Sequence, residues 1–103
     1  MSDLFFDSTG NWIAFRRGKF IFSASGNWIG WISDQNGEVF DTDGGYLGTI
    51  VSDRLFHSLF PSTWVNTSHP GYPGRETPPD HPGYPGRFEI PIGMEDIGLL
   101  EHA

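Results

Sequence analysis

Apolar residues along the first sixty positions come in bursts of three to six, and each burst ends at a cluster of turn-forming residues. DSTG at 7–10, SASG at 23–26 and DTDG at 41–44 each place Asp or Ser first and Gly fourth. That is the preference of a type I turn, with a glycine free to take the positive φ of a hairpin bulge. A second set lies between them: RRGK around Gly18, DQNGE with Asn36 and Gly37, and VSDR around Asp53. Turn centres recur about every eight residues, which leaves strands of roughly five residues and no room for a helix. The predicted strands are 4–6, 12–16, 19–22, 28–33, 38–40, 46–51 and 54–56, most of them rich in aromatic and β-branched residues. Short, evenly spaced strands predict an all-β meander, barrel-like or propeller-like.

The bursts also repeat one another. FDSTGNWIA, FSASGNWIG and FDTDGGYLG align, so Phe6, Phe22 and Phe40 precede the turns and Trp12, Trp28 and Tyr46 follow them. Ile13, Ile29 and Leu47 come next, and Ala14, Gly30 and Gly48 close the motif. Simple alternation puts Trp12 with Ala14, Trp28 with Gly30 and Tyr46 with Gly48 on one face, and the aliphatic residues on the other. A residue without bulk beside a large aromatic predicts close approach between units, with a neighbour's ring in the vacancy. Units of 16 and 18 residues are too short to bury a core alone and must pack around a common axis. Phe56 follows Phe40 by sixteen residues and starts a fourth unit, but Pro61 then replaces the turn chemistry and Trp64 arrives late.

On GNWIA, GNWIGWI, EVFDTDGGYLGTI and the hairpin rhythm between them, residues 4–56 resemble the four-fold beta-flower domain, a family of small bacterial proteins built from four short β-hairpin units. The resemblance implies about four hairpin units in a pseudo-symmetric arrangement and a proline-rich repetitive tail. It implies no activity, cofactor or catalytic residue.

The division that follows is a β-hairpin repeat domain at 1–65 and a Pro/Gly/Tyr-rich tail at 66–103. The tail carries HPGYPGR twice, at 69–75 and 81–87. Proline fixes φ and removes donors, so the segment reads as polyproline II interrupted by Pro-Gly turns. Its composition suits a spacer, whereas its repetition suits recognition. Tyr72, Arg75, Tyr84 and Arg87 are the candidate contact residues of two identical epitopes. Beyond them, RFEIPI predicts a short edge strand at 87–92, and MEDIGLLEHA a helical turn weakened by Gly98.

Charge and composition narrow the function classes. The net charge of −7 repels phosphate backbones, so nucleic acid is not an expected partner. The absence of cysteine removes disulfides and thiolate sites. No apolar run approaches the ~20 residues of a membrane span, and the N-terminal residues have no signal-peptide pattern; a cytoplasmic protein with no membrane partner is the expectation.

His57, His69, His81 and His102 lack the spacing that sets two imidazoles on one ion, although His69 and His81 are repeat equivalents. Asp7, Asp34, Asp41 and Asp53 sit where turns recruit Asp for backbone hydrogen bonds. No catalytic residues, metal or cofactor are therefore assigned, and the chain is expected not to be an enzyme. Trp12, Trp28, Trp31 and Tyr46 offer an aromatic platform, or else the core of a small domain. With apolar side chains on both strand faces, a homo-oligomer is expected. The reading is a structural or protein-interaction module that self-associates, with HPGYPGR as contact segment and an unknown protein as a further partner. The alternative is a carbohydrate- or cell-envelope-binding module using surface tryptophans.

Overall fold

A computed structural model of the chain describes residues 3–33, 37–61 and 64–97, which contain strands and no helix. The strands are β1 (Leu4–Phe6), β2 (Trp12–Arg17), β3 (Phe20–Ser23), β4 (Trp28–Ile32), β5 (Glu38–Asp41), β6 (Tyr46–Val51), β7 (Arg54–Ser58) and β8 (Met94–Asp96). Each pairs antiparallel with the next, and Phe6 of β1 also pairs in parallel with Arg54 of β7, closing β1 to β7 into a barrel. Two strands make a blade: β1–β2, β3–β4, β5–β6 and β7–β8.

The first three blades turn as their sequences require. Gly10, Gly26 and Gly44 adopt φ of 94°, 93° and 92°, and their amides donate to the carbonyls of Asp7, Ser23 and Asp41. The side chain at the first turn position holds the loop. Asp7 Oδ1 accepts from the amides of Thr9 and Asn11 at 3.0 and 2.9 Å, and Asp41 Oδ1 from those of Asp43 and Gly45 at 2.8 and 3.0 Å. The turns between blades are tighter, with Gly18 and Ser52 both at φ 59°. Asn36 of the second of these turns lies outside the described residues.

The expected facing of the aromatic motif is corrected by β-bulges. Phe5 pairs with Ala14 and Phe6 with Trp12, so Ile13 is an extra residue; Ile29 and Leu47 are extra at the same place in their blades. Ladder partners share a face, so Trp12 stands with Phe6 while Ala14 stands with Phe5 on the opposite side. A bulge breaks period-two alternation, and three in register break it identically.

Two apolar layers result. Phe5, Ile21, Val39 and Leu55 fill the barrel with Ala14, Ile29 and Ile32, and Ile13, Leu47, Ile50 and Ile97 pack against them. The next residues along, Phe6, Phe22, Phe40 and Phe56, form a second buried set. The small residue beside each aromatic also has a different reason from the one predicted. A Cβ on Gly30 would collide with the backbone carbonyl of Phe40, and one on Gly48 would meet the carbonyl of Phe56 at 2.8 Å as well as Ile97. At Gly30 the backbone of the next strand, and at Gly48 that backbone together with Ile97, fill the space where a neighbour's ring was expected.

The fourth blade is completed from a distance. Phe56, His57 and Ser58 pair with Asp96, Glu95 and Met94, so β8 supplies the strand that local sequence supplies elsewhere. This strand falls at Met94–Asp96 instead of 87–92, and it takes the first three residues of the stretch expected to form a helical turn. Pro91 and Gly93 form the turn before it: the Met94 amide donates to the Pro91 carbonyl at 3.1 Å, and Gly93 has φ 84°. Pro91, lacking a donor, cannot join the ladder, and pairing starts beyond it. Residues 98–103 lie outside the described residues.

Between β7 and β8 the chain makes one circuit of the hairpin ends, against the order of the blades. Asn66 N donates to Gly44 O at 2.7 Å, Glu76 N to Gly26 O at 3.1 Å and Phe88 N to Ser8 O at 2.8 Å. The radius of gyration, 12.6 Å, matches a compact chain of about 100 residues, so this segment forms no extended arm.

Candidate interaction surface

The exposed chemistry lies where this belt crosses the blades. Trp12 and Trp28, each the first residue of its strand, turn their indoles along the chain: Nε1 donates to the carbonyl two residues on, Ala14 at 2.8 Å and Gly30 at 2.6 Å. That bond fixes both rings in the same pose. His81 then meets Trp12 at 5.5 Å and 87°, and His69 meets Trp28 at 5.5 Å and 88°. These are edge-to-face contacts of the kind favoured by the ring quadrupole. In the third blade Trp64 plays the same part against Tyr46, at 6.0 Å and 82°.

The two histidines are fixed by the backbone as well. His69 Nδ1 accepts from the Gly71 amide at 3.0 Å, which leaves Nε2 to donate to Thr42 O at 2.8 Å. His81 Nδ1 donates to Pro82 O at 2.8 Å. His57 Nδ1 lies 3.1 Å from Leu47 O, and its ring packs on Tyr46 at 5.2 Å. His81 thus packs on Trp12 and His69 on Trp28 and Trp31, and among the described residues no group of three metal-ligating side chains occurs. His102 lies outside the described residues.

Tyr72 tilts against Trp28 at 5.5 Å, and Tyr84 lies over Gly10, where its ring occupies the space a Cβ would need. Both rings are nonetheless exposed on their outer side, 72% and 69%. Arg75 is tied down, donating from Nη1 to Asn27 Oδ1 and from Nη2 to Ser25 O at 2.6 Å. Its repeat equivalent Arg87 is exposed. The two heptapeptides therefore share a histidine contact but dock in different registers. Glu76 bonds at Gly26, whereas Phe88 bonds at Ser8, two residues short of the equivalent Gly10.

The crossings at the first and second blades each leave a cleft walled by head and tail together. One, of about 210 Å³, is bounded by Asn11, Trp12, His81 and Tyr84; the other, of about 350 Å³, by Asn27, Trp28, Thr42, Tyr72 and Arg75. The four aromatics singled out from sequence do not form one platform. Trp12, Trp28 and Tyr46 stand on separate blades, half-buried, and Trp31 is 3% exposed, packed between Phe40 and His69.

Electrostatics here are local. Burial acts to raise the Asp7 carboxyl, but hydrogen bonds from the backbone and side chain of Asn11 and then of Thr9 outweigh it and hold the group below 3.8. Among the described residues the one buried cation is Arg54, at the seam between the first and fourth blades. Its Nε donates to Asp53 at 2.8 Å, and Nη1 donates to the carbonyls of Asp7 and Gly86, both at 2.9 Å. Phe6 and Phe88 lie 5.8 and 5.3 Å from its guanidinium. Ser8 closes the same seam from the other side, donating from N and Oγ to the Asp96 carboxylate at 2.9 and 2.6 Å. Neither Arg54 nor Asp96 stood out in the sequence, because, Asp53 apart, their partners are 32 to 88 residues away. His69 and His81 are visible as repeat equivalents in the sequence, where they read as candidate metal ligands and not as ring contacts of Trp28 and Trp12.

Four hairpin blades closed into a barrel, with the last strand delivered by the belt, define the class as a blade-repeat β module. The model of the 4-fold beta flower protein family matches residues 2–92, both heptapeptides included, and the chain belongs to that family. No curated protein and no solved structure matches the chain.

Proposed function

We propose that this beta flower is a non-enzymatic interaction module that associates with itself and offers its two HPGYPGR segments to a protein partner. The observation that carries this reading is the pairing of identical heptapeptides with non-identical docking. Since Tyr72 and Tyr84 sit on different supports, the fold alone does not call for the same seven residues twice. Two rigidly backed, outward-facing tyrosines are suited to bivalent recognition, in which a second contact adds about 10²–10⁴ in avidity without new chemistry. Assignment of Asp7 and Asp41 to turn amides, and of the described histidines to carbonyls and rings, supports the non-enzymatic part.

The test is selection of displayed peptides and domains on the full chain, followed by affinity measurement on Tyr72→Ser, Tyr84→Ser and the double variant. Bivalent ligands should weaken sharply on either single change and vanish on the double. Ligands that bind the double variant as well as the parent would remove the heptapeptides from the function.

A second reading, saccharide binding, is favoured by the two repeat-related clefts, each combining a tryptophan, a tyrosine and an asparagine amide. Titration with neutral oligosaccharides and cell-wall fragments should then quench tryptophan fluorescence, with the response halved in Trp28→Ala. A parent chain silent to all of them sinks it.

A further inference from the structure

The clefts at the first and second blades are repeat equivalents in position and opposites in hydrogen bonding. In the first, every side-chain N–H of the lining is spent inside the protein. Trp12 Nε1 donates to Ala14 O at 2.8 Å, Asn11 Nδ2 to Asp7 Oδ2 and Thr9 Oγ1 at 3.0 and 3.1 Å, and His81 Nδ1 to Pro82 O at 2.8 Å. These bonds leave to a ligand the acceptors Asn11 Oδ1 and His81 Nε2, together with the Tyr84 hydroxyl, which can act either way. In the second cleft Asn27 Oδ1 is taken by Arg75 Nη1, and the guanidinium carries more N–H groups than its bonds to Asn27 and Ser25 use. The first cleft accepts; the second donates.

Charge divides them in the same sense. Among the described residues no Lys or Arg lines the first cleft, whereas Arg75 lines the second. Asn11 is backed by the Asp7 carboxylate, and Asp80 immediately precedes His81. Arg54 packs on Phe6 with its guanidinium 5.8 Å from that ring, but Asp53 Oδ1 at 2.8 Å balances its charge. The walls of the first cleft are rings: Trp12 with His81 edge-to-face at 5.5 Å, Tyr84, and the buried Phe6. Ring faces attract a cation, and lone pairs without a donor strengthen their bond when the N–H that arrives is charged.

We propose that the first-blade cleft binds a primary alkylammonium group, the kind a lysine side chain carries. A carboxylate or phosphate brings only acceptors to a site that already consists of them. A neutral sugar supplies hydroxyl donors but gains nothing from the rings' attraction for charge. The inference deepens the partner reading above and rests on it only for the source of the amine, a lysine of the bound protein; the chemistry of the cleft stands without it.

Nuclear magnetic resonance of the full chain, observing the tryptophan indole N–H signals, tests the site with Nα-acetyl-lysine amide as probe. The amine should shift the Trp12 signal saturably and leave Trp28 in place, and the same probe acetylated at Nε, which keeps the chain and loses the charge, should shift neither. Tyr84→Ser and His81→Phe, the second keeping a ring while removing the acceptor, should each weaken binding by about 3- to 10-fold. Tyr72→Ser on the second blade should leave it unchanged. The two probes compared on the parent decide the matter even where a variant fails to fold. Equal shifts from both probes, or a response at Trp28 instead of Trp12, overturn the site. A parent silent to the amine overturns it too, and leaves the heptapeptide reading to the affinity measurements on its own tyrosine variants.

Discussion

The first three blades and the fourth are built from the same strand pair but closed by different means. In the first three, a few consecutive residues contain both strands, the turn carboxylate or hydroxyl, and the glycine at φ near 93°. In the fourth, β7 waits for a strand 36 residues beyond its end, and its closure depends on contacts of Arg54 and Asp96 that reach 32 to 88 residues along the chain. Local closure costs little chain entropy, because each hairpin loop is short; the long loop costs more, by a margin growing only with the logarithm of its length. The difference teaches where the molecule opens first. The fourth blade has the fewest local guarantees, and the belt's contacts with the other three blades hold it in place.

That contrast can be broken in steps. Gly30→Ala should do the most damage, on the order of 3 kcal/mol or more, since the new Cβ meets the Phe40 carbonyl inside a strand pair and the backbone must move; urea unfolding measures it. Arg54→Met, which keeps the volume but strips two carbonyls and Asp53 of their donor, should cost about 3 kcal/mol. Hydrogen exchange should show it speeding opening of β8 and the belt before β3 to β6. Asp96→Ala removes the clasp to Ser8, with an expected loss of about 1–2 kcal/mol and the same order of opening.

Asp7 belongs to the local kind of closure and should reveal itself by pH. Its carboxyl is lowered in the folded chain, so its contribution is present above 3.8 and is lost as pH falls through the lower folded value. Asp7→Asn should flatten the acid limb of the stability profile in that window, with β1 to β2 affected and β8 untouched. The smallest change should be a gain. Ser52 holds φ 59° at the place where Gly18 holds the same angle, and Ser52→Gly should add up to about 1 kcal/mol by relieving the left-handed strain. No change in the thermal midpoint would show that the Ser52 turn is not strained.

Much of the barrel was legible because its information is local. Seven strands, the three Gly-fourth turns and the spacing of Phe6, Phe22, Phe40 and Phe56 come from residues adjacent in the chain. The bulges at Ile13, Ile29 and Leu47 were not legible, since a bulge is a property of two strands and alternation describes only one. β8 was misplaced because RFEIPI has better strand propensity than MED, and propensity does not report which backbone finds an open ladder edge. At the candidate site, Tyr72, Arg75 and Tyr84 were visible as repeats. Their supports on Trp28, Asn27 and Gly10 were not, because the tail and head repeat at different periods and the match between them exists only in space.

The sequence by itself determined four aromatic hairpin starts, a cysteine-free acidic composition and a heptapeptide segment at 69–87 that cannot be helix or inner strand, all consequences of side-chain volume, charge and the φ limits of glycine and proline. Only the tertiary structure decided that the tail is a belt and not a spacer, and that Arg54 and Asp96 close the seam. Those outcomes depend on which distant groups lose water together, and no spacing along the chain encodes that.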